Sequence, residues 1–354
     1  MNAFWSPIVE RLSPYVPGEQ PKIEGLIKLN TNENPYPPSE RVVQAIRDAL
    51  GADGAALRLY PDPESFALRT AAAKRLGLDP DHVFAGNGSD EILAFVFQGL
   101  LNHAQPLVFP DISYSFYPSY CRLYGIEAAP IPLTDAFEID LDDIPRDRTA
   151  VIFPNPNAPT GRAIETAVIE AFLSARPHTL VVVDEAYVDF GGQSCAPLVA
   201  RYPNLLVTQS LSKSRGLAGM RIGLAFGQPS LLQALIRIKD SFNSYPLDRL
   251  AQAAGLAALE DEEWLIHNRA AVMKSRDWLT GALQGLGFQV LPSAANFVFA
   301  RHASRQAAEI AHSLRSQKIL VRHFQKPRIE HWLRITVGTD AECFALIRAL
   351  EQVA

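Results

Sequence analysis

The sequence predicts an α/β protein, with a large domain built on a mostly parallel sheet and a smaller α+β domain after it. Short apolar runs alternate with helical stretches such as Ser89–Leu101 and Glu165–Ala175, and this pattern changes after about Leu231. The runs are β-branched or aromatic and apolar on both faces, which is typical of strands buried in a parallel sheet. The predicted strands are Val83–Ala85, Pro106–Phe109, Val151–Phe153, Leu180–Val183, Leu205–Val207 and Ile222–Phe226.

The region beyond Leu231 predicts long helices and then a mixed domain. A single helix is expected from Leu250 to Gly285. The remaining predicted elements are strands Phe288–Val290, Asn296–Ala300, Leu320–Arg322 and Leu333–Val337, and helices Ala303–Gln317 and Asp340–Val353. The N-terminal arm is rich in proline and asparagine, so an irregular path is expected there. We therefore predict an arm and part of the small domain in residues 1–40, the large domain in 41–235, and the small domain in 236–354.

Composition excludes several classes of protein. The chain has 354 residues, 48% hydrophobic and 20% charged, which is typical of a globular enzyme with more than one domain. A net charge of -5 argues against nucleic acid as the main partner. No run reaches the roughly 18–20 apolar residues that cross a bilayer. The 3 cysteines lack the spacing of metal ligands or of a disulfide framework, and no signal peptide is evident, so a cytoplasmic protein is expected without a metal site.

Polar clusters follow four of the predicted strands. They lie at residues 86–90, 155–161, 184–187 and 210–213. Ligands of open α/β sheets bind outside the carboxyl ends of the strands. We therefore expect the four clusters to form one site.

The cluster Ser210-Leu211-Ser212-Lys213, with Arg221 eight residues later, suggests a phosphorylated ligand. Arginine grips phosphate with two parallel hydrogen bonds, and serine adds short neutral donors. Lys213 in the same turn is placed to attack an aldehyde on that ligand. In isolation the same residues are also typical of a solvated, basic start of a helix.

Two further clusters have both a functional and a structural interpretation. Asp184 ends a buried strand, where a carboxylate needs a positive partner such as a protonated pyridine nitrogen, or else caps a helix. Gly88, Ser89 and Asp90 open an apolar helix, whose free N–H groups attract anions, although Ser89 or Asp90 is also an ordinary helix cap. Tyr114 follows another strand, where its ring is placed either to stack on a planar ligand or to pack in the core.

Taken together, these motifs resemble those of the fold-type I, pyridoxal-phosphate-dependent transferases, and within them the histidinol-phosphate aminotransferase family. The resemblance runs nearly end to end. Its motifs are Leu29–Pro35, Tyr60–Pro63, Gly86–Glu91, Asp184–Tyr187, Ser212-Lys213 and Leu333–Gly338.

The resemblance implies a role for each cofactor-site residue. Lys213 would carry pyridoxal phosphate as a Schiff base and move the substrate proton. Asp184 would pair with the pyridine nitrogen, Tyr187 would bond the phenolic oxygen, and Tyr114 would stack on the ring. The phosphate would be held by Gly88, Ser89, Asp90, Ser210, Ser212 and Arg221. Tyr60 would reach the phosphate from the neighbouring subunit, which implies a homodimer.

The substrate residues implied by the resemblance lie near both ends of the chain. Arg334 would bind the carboxylate of glutamate or 2-oxoglutarate and the anionic end of histidinol phosphate. Tyr15, Asn34 and Arg322 match positions that shape the substrate pocket.

One position departs from the family pattern. Asparagine usually precedes Pro-Thr-Gly and bonds the phenolic oxygen of the cofactor, but Ala158 stands there in this chain. Asn157, one residue earlier, is predicted to replace it.

Other functions remain open at this level. A lyase such as threonine-phosphate decarboxylase shares nearly the whole motif set. An aromatic or broad-range aminotransferase would use the same cofactor site. A catalytically inactive cofactor-binding module is disfavoured because Lys213, Asp184 and Arg221 are all present.

Overall fold

The computed structural model describes residues 4–15 and 18–353. A seven-stranded sheet with the order β2-β8-β7-β6-β5-β3-β4 forms the centre of the large domain. Its strands are β2 (Val83–Asn87), β3 (Leu107–Pro110), β4 (Ala128–Ile131), β5 (Ala150–Pro154), β6 (Leu180–Asp184), β7 (Leu205–Ser210) and β8 (Ile222–Gly227). Only β8 runs antiparallel to its neighbours, so the predicted, mostly parallel sheet is confirmed.

Helices cover both faces of this sheet. The α-helices of the described residues are α1 (Pro7–Arg11), α2 (Glu40–Leu50), α3 (Phe66–Leu76), α4 (Gly88–Gly99), α5 (Tyr117–Tyr124), α6 (Thr166–Ala175), α7 (Pro229–Phe242), α8 (Arg249–Glu260), α9 (Glu262–Gly285), α10 (Ala307–Ser316) and α11 (Asp340–Val353). Of these, α9, α10 and α11 pack against a second, smaller sheet instead. Val181 and Val183 of β6 pack in the core formed with α2, α3, α6 and α8. Val182 between them faces the core formed with α4, α5 and α7. This alternation explains why the strand is apolar throughout.

The prediction of a single helix from Leu250 to Gly285 is wrong in one respect. The structure has two helices there, α8 and α9. Asp261 ends α8 and begins α9, and its carboxylate accepts a hydrogen bond from the Trp264 backbone N–H. The buried Arg215 guanidinium donates to the backbone oxygen of Asp261 at 3.5 Å. An aspartate cap and a cation at the free carbonyls stabilise a break that apolar periodicity alone does not reveal.

The smaller sheet has the order β1-β11-β12-β10-β9. Its strands are β1 (Ile27–Leu29), β9 (Phe288–Val290), β10 (Phe297–His302), β11 (Ile319–His323) and β12 (Leu333–Thr336). The arm is therefore not irregular throughout, since β1 pairs with β11 in parallel register. The arm thereby connects the small domain to the strand ends of the large one.

The packing of α8 indicates that the large domain extends beyond the boundary predicted at residue 235. That boundary falls inside α7, and α8 lies beyond it. Ala251, Ala254 and Ala258 of α8 share a core with Val42 and Leu68 of the large domain. We propose that the small domain begins at the helix break near Asp261 rather than at residue 236.

Candidate active site

A cavity of about 420 Å³ opens at the carboxyl ends of the large sheet's strands, where the arm and the small domain meet them. It brings together most of the predicted site residues. These are Tyr15, Ser89, Asp90, Tyr114, Asp184, Tyr187, Ser210, Ser212, Lys213, Arg221, Arg322 and Arg334. The parallel strands place their carboxyl ends side by side, which is why residues far apart in sequence converge here.

Lys213 lies in the turn after β7. Its backbone oxygen accepts a hydrogen bond from Asn34 Nδ2 at 2.9 Å, which fixes the turn. Its ammonium donates to the backbone oxygen of Thr31 at 3.2 Å and lies 5.9 Å from the centre of the Tyr187 ring. The side chain is thereby held in the cavity, beside the arm.

Asp184 lies at the end of β6 and is only 5% exposed. Its carboxylate accepts hydrogen bonds from the Tyr117 hydroxyl at 3.0 Å and from the Thr208 hydroxyl at 3.3 Å. Burial raises its pKa from 3.8 to about 6, and these two donors lower it less than burial raises it. A cation placed against this carboxylate would offset the cost of burying its charge.

The N-terminus of α4 and the segment after β7 form an anion cradle. Arg221 Nη2 lies 3.1 Å from Asp90 Oδ2. Gly88 has φ +81, and a Cβ there would lie 2.5 Å from Arg221 Nη2. Only glycine therefore lets the guanidinium approach the free N–H groups of α4 so closely.

The serines of the cradle leave one donor unused. Ser212 N donates to Ser210 Oγ at 3.2 Å. Within residues 4–15 and 18–353, the buried Ser212 Oγ has no hydrogen-bond partner. Buried hydroxyls are almost always paired, so this atom marks a place for a ligand oxygen.

These residues fit pyridoxal phosphate. The cradle supplies donors and positive charge for a phosphate, and Asp184 lies on the wall of the same cavity as a buried anion without a cationic partner in the described ranges. Lys213 supplies the amine that an aldehyde needs. The donor set thus matches a phosphorylated ring that carries a basic nitrogen.

Aromatic side chains form one wall of the cavity. The Tyr114 hydroxyl donates to Asp90 Oδ1 at 2.8 Å, and the Tyr114 and Tyr117 rings meet edge to face with centres 5.6 Å apart. Burial, with the nearby Asp90 carboxylate, raises the pKa of Tyr114 well above its usual value. Tyr114 is therefore a neutral, fixed ring suited to lie against a planar ligand.

Two arginines face the opposite end of the cavity. Arg322 on β11 and Arg334 on β12 are direct partners in the antiparallel register. Arg334 Nη2 donates to the Asn30 backbone oxygen at 2.9 Å, while its buried Nε has no partner among the described residues. Burial, with the neighbouring Arg322, lowers the pKa of Arg334. Like charges placed opposite each other are costly, and an anion between them would remove that cost.

Three predicted residues lie elsewhere, and the Asn157 prediction needs correction. Asn157 Nδ2 donates to the Ile112 backbone oxygen and to Thr160 Oγ1, both at 3.0 Å, and Ala158 forms the cavity wall instead. Asn34 supports the Lys213 backbone rather than lining the cavity. Tyr60 is 79% exposed and stacks on Tyr245 with ring centres 4.5 Å apart.

Sequence reasoning missed three polar contacts of the site. Asn32 Nδ2 donates to the Tyr187 hydroxyl at 3.0 Å. Tyr117 and Thr208 hold the Asp184 carboxylate. Thr208 is fully buried in β7, and a polar side chain at a buried strand position is a usable signal. Asn32 lies in the motif Leu29–Pro35, and its sequence context does not indicate which group its amide contacts.

Two kinds of feature are absent from the part of the chain that the structure describes. No helix there is long and apolar enough to cross a membrane. No group of three or more His, Cys, Asp and Glu side chains in those ranges could hold a metal ion.

Comparisons with known proteins agree with this geometry. Residues 24–350 match the family described as aminotransferase class I and II. Histidinol-phosphate aminotransferase 2 of Dechloromonas aromatica is 59% identical over 354 residues, covering 100% of this chain and 99% of that protein. Histidinol-phosphate aminotransferase 1 of Burkholderia pseudomallei is 58% identical over 353 residues, with 100% and 99% covered.

A solved structure is also similar over its full length. The histidinol-phosphate aminotransferase of Sinorhizobium meliloti, crystallised in complex with pyridoxal-5'-phosphate, superimposes with a TM-score of 0.89 at 26% identity. The alignment covers 100% of this chain and 99% of that one. The cavity and these likenesses lead to one conclusion: the chain belongs to the aminotransferase class I and II family, and within it to the histidinol-phosphate aminotransferases.

Proposed function

We propose that this enzyme transfers the amino group of L-histidinol phosphate to 2-oxoglutarate, giving imidazole acetol phosphate and glutamate in histidine biosynthesis. Pyridoxal phosphate is its cofactor. The observation that carries the proposal is full-length identity of 56–59% to proteins named for this activity, together with a cavity that holds Lys213, Asp184 and the arginine pair.

Each polar group around the cofactor would have a separate task. When bound, pyridoxal phosphate supplies an aldehyde for the amino group and a ring that accepts electrons. Lys213 would hold that aldehyde through its amine, and the same amine would serve as the base for the proton at the substrate Cα. Asp184 would hold a protonated ring nitrogen, because a buried carboxylate is stabilised by an adjacent cation. Tyr187 would donate to the phenolic oxygen.

The remaining residues would orient the bound molecules. Ser210, Ser212, Arg221 and the N–H groups of α4 would hold the phosphate, and the Tyr114 ring would contact the planar ring of the cofactor. The paired Arg322 and Arg334 bind whichever anion is present. Glutamate presents a carboxylate to them and histidinol phosphate presents a phosphate, so one cationic end serves both halves of the reaction.

We further propose a homodimer in which Tyr60 is donated across the interface. Several large apolar side chains close in sequence to Tyr60 or to its stacking partner Tyr245 are well exposed in the single chain. They are Leu57, Leu59, Tyr60, Phe66, Phe242 and Tyr245. Clusters of exposed aromatic and aliphatic side chains of this kind are typical of oligomer interfaces. We infer a cytoplasmic location because Cys121, Cys195 and Cys343 are all buried and unpaired.

The first test is the visible spectrum of the protein purified with pyridoxal phosphate. Histidinol phosphate should bleach the cofactor band, and 2-oxoglutarate should restore it. Lys213→Ala should lack both the band and turnover while keeping its thermal stability without cofactor. Lys274→Ala, which changes an exposed lysine on α9, is the matched control and should behave as wild type.

Other outcomes would identify the alternatives. Bleaching by phenylalanine but not by histidinol phosphate would retain the mechanism and replace the substrate with an aromatic amino acid. Release of carbon dioxide from threonine phosphate would assign the protein to the decarboxylases. A wild-type protein without any cofactor band would contradict the proposal altogether.

A further inference from the structure

The arm places an amide side chain against the tyrosine of the cofactor site. Asn32 is 1% exposed and has φ +56, a left-handed conformation that asparagine tolerates better than most residues. Its Nδ2 lies 3.0 Å from the Tyr187 hydroxyl. Its backbone oxygen accepts from Asn296 Nδ2 at 3.0 Å, so both its main chain and its side chain are held.

The direction of each hydrogen bond follows from Thr336. The Asn32 backbone N–H can only donate, so Thr336 Oγ1, at 3.0 Å, accepts from it. The Thr336 hydroxyl keeps its own proton, which it donates to Asn32 Oδ1 at 3.1 Å. If the amide were reversed, two donors would point at Thr336 Oγ1 and the hydroxyl proton would lack this acceptor. Thr336 therefore turns Nδ2 towards Tyr187.

This orientation determines where the Tyr187 proton goes. Asn32 Nδ2 can only donate, so the tyrosine oxygen accepts in that bond. Among the residues that the structure describes, none accepts the hydroxyl proton, and Tyr187 lines the cavity. If the amide were reversed, Asn32 Oδ1 would accept a hydrogen bond from the Tyr187 hydroxyl, which could then no longer donate to a ligand. The other candidate amide, Asn157, is bonded to Ile112 and Thr160, and Ala158 offers no polar side chain.

We propose that Asn32 and Thr336 are positioning residues that keep the Tyr187 hydroxyl as a hydrogen-bond donor to the phenolic oxygen of the cofactor. This inference rests on the proposed function, because it requires that oxygen to lie beside Tyr187. Thr336 lies two residues from Arg334 on β12, and alternate residues of a strand share a face. Strand β12 thus carries both Arg334 of the anion site and Thr336, which orients the Asn32 amide towards Tyr187.

The test is the pH titration of the visible cofactor band in the full-length protein loaded with cofactor. A donor to the phenolic oxygen stabilises its ionised form, so loss of that donor raises the titration midpoint. Thr336→Val removes the hydroxyl at nearly equal size and should raise the midpoint by about 0.5 to 1 pH unit. Thr336→Ser keeps the hydroxyl and should titrate as wild type.

A double variant shows whether the effect passes through Tyr187. Tyr187→Phe should raise the midpoint, and Thr336→Val should add nothing in that background, because residues acting through one group are not additive. A purely structural role for Thr336 would not produce this dependence. Additive shifts, or an unchanged midpoint in Thr336→Val, would overturn the inference.

Asn32→Gly provides an independent variant if Thr336→Val does not fold. Glycine accepts the left-handed backbone but lacks the amide, so the midpoint should rise, whereas a role limited to the turn would leave it unchanged and refute the inference. The band itself separates the two proposals. If the wild type has a band and these variants do not shift it, only this inference fails; if the wild type has none, the proposed function fails with it.

Discussion

At the scale of single residues, the main electrostatic feature is a pair of buried carboxylates at the end of β6. Burial raises the pKa of Asp184 from 3.8 to about 6 and that of Glu185 from 4.5 to about 7. Glu185 accepts from Ser194 Oγ at 2.6 Å and from Gln209 Nε2 at 2.8 Å, on the side of the strand away from the cavity lining. Asp184 alone is therefore placed to meet a cofactor.

The raised pKa of Asp184 predicts a pH-dependent stability of the cofactor-free protein. Between pH 3.8 and about 6 the folded state keeps a proton that the unfolded state has lost, so stability falls as pH rises through this window and stays lower above it. Asp184→Asn should remove about 2 kcal/mol of the difference in unfolding free energy between pH 4.5 and 7.5. Urea unfolding at the two pH values measures this.

A surface variant and the cofactor provide controls for this prediction. Asp79→Asn changes an exposed aspartate and should leave the pH dependence unchanged. Binding of pyridoxal phosphate should reduce the dependence in the wild type, because the ring nitrogen stabilises the ionised carboxylate. An Asp184→Asn protein with the wild-type slope would mean that this carboxylate is not protonated in the folded protein.

At the scale of elements, the phosphate cradle depends on how closely β8 approaches the start of α4. β8 is antiparallel to β2, and Gly223 pairs with Gly86. A Cβ on Gly223 would lie 2.5 Å from the carbonyl carbon of Gly88 and 2.6 Å from the backbone nitrogen of Ser89. These are backbone atoms, which cannot rotate away as a side chain can. The N-terminus of α4 can therefore lie this close to β8 only if residue 223 is glycine.

Gly223→Ala should therefore displace the cradle. Overpacking at a site of this kind costs about 1–3 kcal/mol of stability. The dissociation constant of pyridoxal phosphate, measured by absorbance titration, should rise by roughly tenfold or more, since about 1.4 kcal/mol corresponds to a factor of ten. Gly219→Ala is the control, because a Cβ there meets nothing within 4 Å. Equal cofactor affinity in both variants would disprove this account.

At the scale of the whole molecule, the site is built from three parts of the chain. The large sheet supplies Asp184 and Lys213, and the small sheet supplies Arg322 and Arg334. The arm supplies backbone oxygens that accept hydrogen bonds from Lys213 and from Arg334. We propose that a second subunit completes the cradle with Tyr60. Lys239 Nζ donates to the Pro63 backbone oxygen at 3.1 Å, which ties the segment that carries Tyr60 to α7 and the exposed Phe242.

Mixed dimers test this arrangement. Lys213→Ala and Tyr60→Ala should each be nearly inactive alone. If Tyr60 acts across the interface, random mixing of equal amounts gives half heterodimers, each with one intact site, and so about a quarter of the wild-type activity. If Tyr60 serves its own subunit, the mixture should stay inactive. Sedimentation should give a dimer for all the proteins, and a monomeric wild type would contradict the proposal.

The sequence by itself determined six of the seven strands of the large sheet and the chemistry at their ends, but not the edge strand β4 (Ala128–Ile131). Runs such as Leu180–Val183 are apolar on both faces, which indicates buried strands. A carboxylate or a lysine that follows such a strand lies at the carboxyl edge of the sheet, where ligands bind. Helix Asp340–Val353 was predicted with the bounds that the structure gives. The local sequence pattern suffices for these features, because the hydrophobicity of neighbouring residues indicates which positions of a strand or helix are buried.

Only the tertiary structure decided what depends on pairing between distant segments. Ile27–Leu29 becomes a strand because β11 lies beside it, and α8 and α9 separate because Asp261 and Arg215 meet there. Asn157 and Asn32 are both asparagines near family motifs, yet Asn157 is bonded to Ile112 and Thr160 while Asn32 reaches Tyr187. The partner of an amide is set by which atoms the fold brings within about 3 Å, and sequence spacing carries no information on that distance.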